Sequence, residues 1–310
     1  MTSGIWDRFA SSLNSLDEAP EPLRSAMLAA LPPDNAIRLL VFGPASKTLD
    51  GRWPAALLAV LEREWVVVSG TEEIPPRVAR CDFANTLFVE MTSILLYGEL
   101  RIDFVGAGRA QTAEIHFNTV MERLYQEAVQ VVLNGMDGVA TAAPVDSHEH
   151  YPALKSLPLK FCNAMLGFVP MGQRVLGVVH WPAVLGRRLI LFQQELAPAA
   201  ALALTDRELL LISEEKTRSW LRTGYPSKYG IIVTHCPLSR LEGYHVAERS
   251  PLVILDLALR AGGTVGQTVQ MVLPFGHKAA VLELVLRAFA RKPKGPVAAG
   301  EETYGQAALH

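Results

Sequence analysis

Short runs of Val, Ile and Leu, separated by Gly, Pro, Asp and Asn, fill two long stretches of the chain and predict antiparallel β-strands. In the first stretch the predicted strands are AIRLLVF, WPAALLAVL, EWVVVSG, FVEMTSILLY, ELRIDFV and TAEIHF. In the second they are RVLGVVH, RLILFQQ, AALALT, ELLLISE, YGIIVTHC, RLEGYHVA, LVILDLAL and TVQMVL. The pattern predicts a mainly β chain.

A helical period replaces the strand pattern at the end of each stretch. Apolar residues recur every three or four positions in NTVMERLYQEAVQVVL (118–133) and in HKAAVLELVLRAFARK (277–292). We expect the first helix to stop at Asn134-Gly135 and the second at Pro293. Short amphipathic helices are also predicted ahead of each set of strands, over 22–31 and 158–168.

The two stretches repeat one another. LLAVLEREWVVVS (57–69) matches ALALTDRELLLIS (201–213), and EREW and DREL are predicted to be the same turn between two strands. The flanking blocks match in the same order, 25–45 with 163–183, 98–104 with 251–257 and 114–118 with 270–274. This alignment pairs Asp103 with Asp256 and indicates an internal duplication. The alternative is two unrelated domains that share common strand patterns.

About 100 residues of strands followed by one amphipathic helix, with the phrase ALTDRELLLIS on neighbouring strands, resemble the bacterial pleckstrin-homology-like (PH-like) domain. The resemblance covers about 34–133 and 172–292. It implies an α+β, mainly β chain: two tandem PH-like domains, each a partly open antiparallel barrel closed by a C-terminal helix.

We predict five segments along the chain. Trp6, Phe9, Leu13 and Leu16 stand at helical spacing and must pack on the first domain or dock on a partner. The segments are an N-terminal helical extension (1–21), PH-like domain 1 (22–133), a linker (134–156), PH-like domain 2 (157–292) and a tail (293–310).

Each domain is expected to bury its own core. The first core is predicted to contain Leu39, Val41, Leu58, Val60, Val66, Val68, Leu100, Ile102, Leu124 and Ala128. The second is predicted to contain Val178, Leu202, Leu204, Leu210, Ile212, Val253, Leu255, Val281 and Val285.

Composition narrows the partners. The formal net charge of −2 provides no global field for nucleic acid or an anionic membrane, so such contacts would need a local patch. Cys81, Cys162 and Cys236 have no metal or redox spacing, which favours a reducing compartment. The sequence shows no secretory signal and no apolar run of transmembrane length. We therefore expect a bacterial-type cytoplasmic protein without a nucleic-acid partner.

Four sequence motifs suggest chemistry and are interpreted as structural. FVGAGRAQ (104–111) resembles a dinucleotide fingerprint, but a strand follows it, so it predicts a hairpin. VFGPASKT (41–48) lacks both glycines of a phosphate loop. His148 and His150 lie in the predicted linker, where a solvated turn is favoured over a metal site. In THC (234–236) the histidine is expected to be exposed and the cysteine to be buried. No metal, cofactor or catalytic residue is predicted.

One basic segment remains, EEKTRSWLRTGYPSK (214–228), which the first half lacks at this length. Cations interleaved with aromatic residues suit an anionic headgroup, a phosphate or an acidic peptide, although a solvated loop would have the same composition. The candidate binding residues are Arg187, Arg188, Lys216, Arg218, Trp220, Arg222, Tyr225 and Lys228.

Two classes of function follow. The PH-like resemblance implies a non-enzymatic binding or self-association module, with a protein partner or a second copy favoured and a weak contact with anionic lipid or phosphate as a further option. The alternative is an enzyme with an active site in the cleft between the two copies, where His, Asp, Glu or Cys side chains from separate segments would converge.

Overall fold

The computed structural model describes residues 9–32, 36–48, 51–71, 75–138, 152–189, 192–215 and 230–293. It is mainly β, with several antiparallel sheets and few helices. The first half contains helices α1 (Leu23–Ala30) and α2 (Glu122–Asp137). Its strands are β1 (Ser11–Ser12), β2 (Leu39–Gly43), β3 (Ser46–Thr48), β4 (Gly51–Trp53), β5 (Ala55–Val60), β6 (Glu64–Gly70), β7 (Arg77–Asp82), β8 (Thr86–Ile94), β9 (Tyr97–Gly106) and β10 (Arg109–Asn118).

The second half repeats this order of elements. It contains helices α3 (Leu159–Phe168) and α4 (Lys278–Arg291). Its strands are β11 (Val175–Trp181), β12 (Val184–Leu189), β13 (Phe192–Ala197), β14 (Ala200–Thr205), β15 (Glu208–Glu214), β16 (Ile231–Pro237), β17 (Leu241–Arg249), β18 (Leu252–Ala261) and β19 (Thr264–Pro274). From α1 and β2 onward, each element of the first half has one counterpart in the second.

The two halves are joined by one continuous sheet. Its seven strands run in the order β10-β9-β8-β16-β15-β14-β11, so that three come from the first half and four from the second. Strand β8 pairs antiparallel with β16, from Ser93 opposite Ile231 to Val89 opposite His235. We call this β8–β16 pairing the joint. The other sheets are β1-β2-β5-β6-β7 and β17-β18-β19, with the hairpins β3-β4 and β12-β13.

The buried side chains form three clusters that do not follow the boundary between the halves. Every residue of the predicted cores is buried, except Leu39, Leu124 and Val178, which are partly buried. Leu210 and Ile212, however, pack in the same cluster as Met91 and Tyr125 of the first half. The expectation of two separate cores was therefore wrong, because the joint places β15 over the core that α2 covers.

The faces of β6 and β15 that point away from the shared core pack in two other clusters. Val66 and Val68 lie in a smaller cluster with Leu23 and Met27 of α1, apart from the core beneath α2. On β15, Leu209 and Leu211 face a third cluster that includes Val281 and Val285 of α4. Since both faces of β14 and β15 are buried, these strands read as continuous apolar runs rather than as alternating ones.

The sequence pattern predicted that the helix would stop at Asn134-Gly135, but Gly135 does not end it. Helix α2 continues to Asp137 and is capped by Gly138, whose φ of 66° is left-handed. A Cβ at Gly135 would lie 2.4 Å from the ring of Phe83, so this glycine permits close packing instead. The predicted linker is also shorter at its other end, where a 3-10 turn over Pro152–Ser156 buries Leu154.

The predicted N-terminal helix is not seen in the described residues. They form β1 and a 3-10 turn over Leu16–Glu18, while Leu13 and Leu16 pack beside α1. The hydrogen bond from the Leu13 N–H to the Leu40 carbonyl continues the pairing of β1 with β2. Strand pairing to the edge of the first sheet therefore replaces the helix. Trp6 and the tail after residue 293 lie outside the described residues.

Candidate functional site

Three large apolar side chains are exposed to solvent at one end of the joined sheet. Leu95 and Leu96 form the turn between β8 and β9 and are 67% and 66% exposed. Thr119 holds this turn, because its N–H donates to the Leu96 carbonyl and its hydroxyl donates to the Leu95 carbonyl. Val120, next to Thr119, is also exposed. We call Leu95, Leu96, Val120 and the nearby Leu159 the apolar tip.

The backbone at Leu95 is strained. Its φ of 54° is left-handed, a conformation that leucine rarely adopts. Such positions persist only where the surrounding structure fixes them, and they occur often at binding sites. Here the hydrogen bonds from Thr119 fix the turn with the leucine side chains in solvent.

The described residues on either side of the basic segment lie close to the apolar tip. Strand β15 ends at Glu214, and β16 begins at Ile231, which pairs with Ser93 near the end of β8. A Cβ at Gly230 would lie 2.8 Å from Ile94, the residue before Leu95. Glu214 and Gly230, the described residues on the two sides of this segment, therefore lie near the β8–β9 turn.

Lys160 contacts both Glu214 and Gly230, the residues near which the described chain stops and resumes. Its ammonium group donates to the Glu214 carboxylate at 2.9 Å and to the Gly230 carbonyl at 3.3 Å. Its neighbour Leu159, at the first turn of α3, is 75% exposed. Leu159 therefore belongs to the same end of the sheet as Leu95 and Leu96.

Most of the predicted binding residues lie outside the described part of the chain: Lys216, Arg218, Trp220, Arg222, Tyr225 and Lys228. Arg187 and Arg188 lie on β12, where Arg187 pairs with Gln193 of β13, but their side chains are not described. His148 and His150 are also outside the described residues. The apolar tip was missed by sequence reasoning, because LLY was assigned to a strand instead of a turn.

A buried acid and imidazole pair lies at the opposite end of β15. His235 Nδ1 is 3.1 Å from Glu208 Oε2, and both residues are at most 2% exposed. The prediction that His235 would be exposed was wrong, because His235 pairs with Leu210 and lies on the same face of β16 as Val233, which packs in the core that α2 covers. The predicted burial of Cys236 is confirmed. Glu208 and His235 are therefore both enclosed within the protein.

A second polar cluster is half-buried on the other face of the sheet. The Tyr97 hydroxyl donates to the Glu99 carboxylate, and His116 Nδ1 lies 3.6 Å from the same carboxylate. The Trp53 ring stacks on His116 with a centroid separation of 5.5 Å. Burial and the neighbouring Glu99 raise the pKa of Tyr97, so its phenol stays protonated at neutral pH.

The carboxylates paired by the sequence repeat do not converge. Asp103 is fully buried, accepts a hydrogen bond from Thr112 and pairs with Arg101 at 2.6 Å. Asp256 lies on β18 and accepts from Gln270. The strand registers also change the alignment of the two halves at this point. Thr86 of β8 and Leu241 of β17 open equivalent bulges, so Asp103 corresponds to Ala258. The alignment made from the sequence, which pairs Asp103 with Asp256, is therefore shifted by two residues.

Neither of the two buried thiols is activated. Burial raises the pKa of the Cys81 thiol to about 12 and raises that of Cys236 as well. FVGAGRAQ forms the predicted hairpin between β9 and β10. Among the described residues, no group of three or more His, Cys, Asp or Glu side chains is placed to hold a metal ion.

No family model and no curated protein matches the chain. Within the described ranges, none of the helices has both the length and the apolar content that crossing a membrane requires.

Proposed function

We propose that the protein is a non-enzymatic binding module, built from two PH-like domains, which docks on an anionic lipid surface through the apolar tip. The observation that carries this proposal is that four exposed apolar side chains lie at the end of the sheet where the described chain stops at Glu215 and resumes at Gly230, on the two sides of the basic segment. The repeated order of elements, with one amphipathic helix after each set of strands, supports the PH-like assignment.

The chemistry of this end of the molecule suits a lipid interface. Exposed leucines gain free energy by entering the boundary between headgroups and acyl chains, at roughly 25 cal/mol for each Å² of apolar surface removed from water. The sequence between Glu215 and Gly230 supplies Lys216, Arg218, Arg222 and Lys228. Each cation near an anionic surface contributes about 1 kcal/mol. Neither contribution is large alone, so docking needs both.

The enzyme alternative has weaker support. The Tyr97, Glu99 and His116 side chains converge on a half-buried surface, as an active site would require. However, the raised pKa of Tyr97 disfavours the phenolate that would act as a nucleophile or base. The Glu208 and His235 pair has the composition of a catalytic dyad but is enclosed on every side. We therefore favour binding over catalysis.

Sedimentation of the protein with lipid vesicles tests the proposal. The protein should sediment with vesicles that contain phosphatidylserine and phosphatidylcholine, and much less with phosphatidylcholine alone. Binding should weaken with added salt, because exposed charges are screened beyond about 8 to 10 Å at ordinary ionic strength. Leu96→Glu and the double variant Arg218→Glu/Arg222→Glu should each reduce binding severalfold.

The matched control is Leu185→Glu. Leu185 is 57% exposed but lies on β12, in the hairpin of the second half. This variant should bind like the parent. Equal binding by Leu96→Glu and the parent, or no binding of the parent to anionic vesicles at low salt, would overturn lipid docking. Thermal unfolding of each variant checks that the fold is retained.

A further inference from the structure

The joint is built from two strands that occupy different places in their halves. Strand β8 is the first strand of the β8-β9-β10 set, and β16 is the last strand of the β14-β15-β16 set. Val233 of β16 lies opposite Met91 of β8, and both are fully buried. The joint is therefore an antiparallel pairing of unlike edges that buries apolar side chains.

Each half contains both kinds of edge. Strand β7 is the counterpart of β16, since Glu64 pairs with Asp82 as Glu208 pairs with Pro237. The Phe83 N–H donates to the Arg63 carbonyl after β7, and the Leu238 N–H donates to the Arg207 carbonyl after β16. Strand β17 is the counterpart of β8, because both open with a bulge against the next strand.

The joint pairs one of these two edges from each half and leaves the other, β7 or β17, unpaired among the described strands. Within the described ranges, β7 is the last strand of its five-stranded sheet and β17 is the first of its three-stranded sheet. The first half thus has an unpaired edge equivalent to β16, and the second half has an unpaired edge equivalent to β8. The two edges are complementary, as the two sides of the joint are.

We propose that the protein associates end to end with a second copy of itself, in which β7 of one molecule pairs antiparallel with β17 of the next. The register of the joint, carried over to these strands, places the residues in four opposed pairs: Arg80 with Tyr244, Ala79 with His245, Val78 with Val246, and Arg77 with Ala247.

Exposed apolar residues mark both free edges. Val78 is 48% exposed on β7, and Tyr244 is 42% exposed on β17. Their counterparts in the joint, Val233 and Val89, are fully buried. An exposed strand edge that carries apolar side chains is a template for pairing with another chain. The second copy would cover both residues as the joint covers their counterparts.

The helices beside the edges show the same relationship. At the joint, Gln130 of α2 accepts a hydrogen bond from the Met171 N–H just after α3, so α2 and α3 meet. The counterpart of Gln130 on α4 is Leu286, which is 51% exposed. Leu28 of α1 is 56% exposed, whereas its counterpart Leu166 on α3 packs against the shared core. End-to-end association would bring α4 against α1 and cover both leucines.

Pairing of unlike edges does not close on itself in a dimer. Each added molecule leaves one β7 and one β17 unpaired, so the assembly grows as a chain or closes as a ring. Sedimentation velocity without lipid tests this. The average mass should rise with concentration past twice the 33.8 kDa of the chain. Monomers at every concentration, or a dimer that does not grow, would overturn the proposal.

Two single variants sharpen the test. Val78→Lys should block only the β7 edge, and Tyr244→Lys should block only the β17 edge. Each variant alone should be monomeric, but an equal mixture should form a one-to-one dimer through the two intact edges. Both positions are exposed, so the fold should be retained, which thermal unfolding checks. Leu185→Lys, at an exposed leucine on β12, should assemble like the parent.

This mixing experiment separates unlike from like pairing. If β7 paired with β7, Tyr244→Lys would still dimerise alone, and if β17 paired with β17, Val78→Lys would do so. Either result would overturn the proposal, as would a mixture that stays monomeric. Because no lipid is present, the outcome does not depend on docking by the apolar tip.

Discussion

Strands β7 and β16 occupy the same place in the two halves, yet one is an edge and the other is enclosed. Each carries the partner of a glutamate at the start of the preceding strand, Arg80 for Glu64 and His235 for Glu208. At the edge the Arg80 side chain is 46% exposed, whereas the His235 side chain is 1% exposed at the joint. The residue type follows the environment: a long cation suits an edge, and a compact imidazole suits an enclosed position.

The pairing of β8 with β16 changes the surroundings of this repeat position. Arg80 donates two hydrogen bonds to Glu64 and a third to the Ala30 carbonyl of α1, and its remaining surface stays in water. The His235 side chain is enclosed, and among the described residues neither its Nε2 nor the Glu208 Oε1 has a hydrogen-bond partner. The same repeat position therefore stabilises an edge in one half and carries an energetic cost in the other.

Separating the halves should have the largest effect. Val233, Leu210 and Ile212 belong to the core that α2 covers, so neither half can bury its apolar surface alone. We expect fragments 1–142 and 143–310, expressed singly, to show no cooperative unfolding by circular dichroism. Mixing them should restore one cooperative transition.

The control is the full chain with a protease site placed between residues 139 and 151. After cleavage the two pieces should stay associated and unfold in one transition. If each separate fragment instead folded cooperatively, the shared core would not be needed and the joint would be a simple docking contact.

The next largest effect should come from removing each glutamate in turn, which compares the stability of the enclosed pair with that of the edge pair. Glu208→Ala leaves His235 buried without its partner and should lower the free energy of unfolding by about 3 to 5 kcal/mol. Glu64→Ala, at a partly exposed pair, should cost about 1 kcal/mol. Urea denaturation of both variants measures the difference.

A double variant tests the reason for this difference. Glu208→Leu with His235→Leu removes the buried polar pair and should recover most of the stability lost in Glu208→Ala. Equal costs for Glu64→Ala and Glu208→Ala would contradict the view that enclosure at the joint sets the energetics.

The smallest effect concerns Asp137, at the end of α2. Burial, reinforced by the charge of Glu208, raises its pKa from 3.8 to about 6. Between these values the folded chain binds more protons than the unfolded chain, so stability should fall as the pH rises from about 4 to 6. Asp137→Asn should flatten this slope and raise stability at pH 7 by about 1 kcal/mol, after allowance for partial exposure.

The second half has no acidic side chain at the position that corresponds to Asp137, because α4 is followed there by Pro293. The control variant therefore comes from α2 itself. Glu127→Gln, at an exposed position of α2, should leave the pH dependence of unfolding unchanged. A parent protein whose stability rises through the same pH window would contradict the raised pKa.

Several local features could be predicted from residue patterns, and the predictions that were wrong have identifiable physical causes. The turns at EREW and DREL, the hairpin at Gly108 and the apolar faces of α2 and α4 follow from short-range chemistry and are present. The helix stop at Gly135 was wrong because the contact with Phe83 is remote in sequence. The exposed turn at Leu95 was missed because its apolar residues continue the strand pattern.

By itself, the sequence determined the mainly β character, the repeated order of elements and the burial of most of the predicted core residues, because side-chain periodicity and turn residues act over a few positions. Only the tertiary structure decided that β8 pairs with β16, that Leu210 and His235 are enclosed in the core shared with the other half, and that Leu95 and Leu96 are exposed in a turn. Strand edges look alike in sequence, since pairing uses backbone groups that every residue carries. Which edge is covered depends on how the whole chain packs.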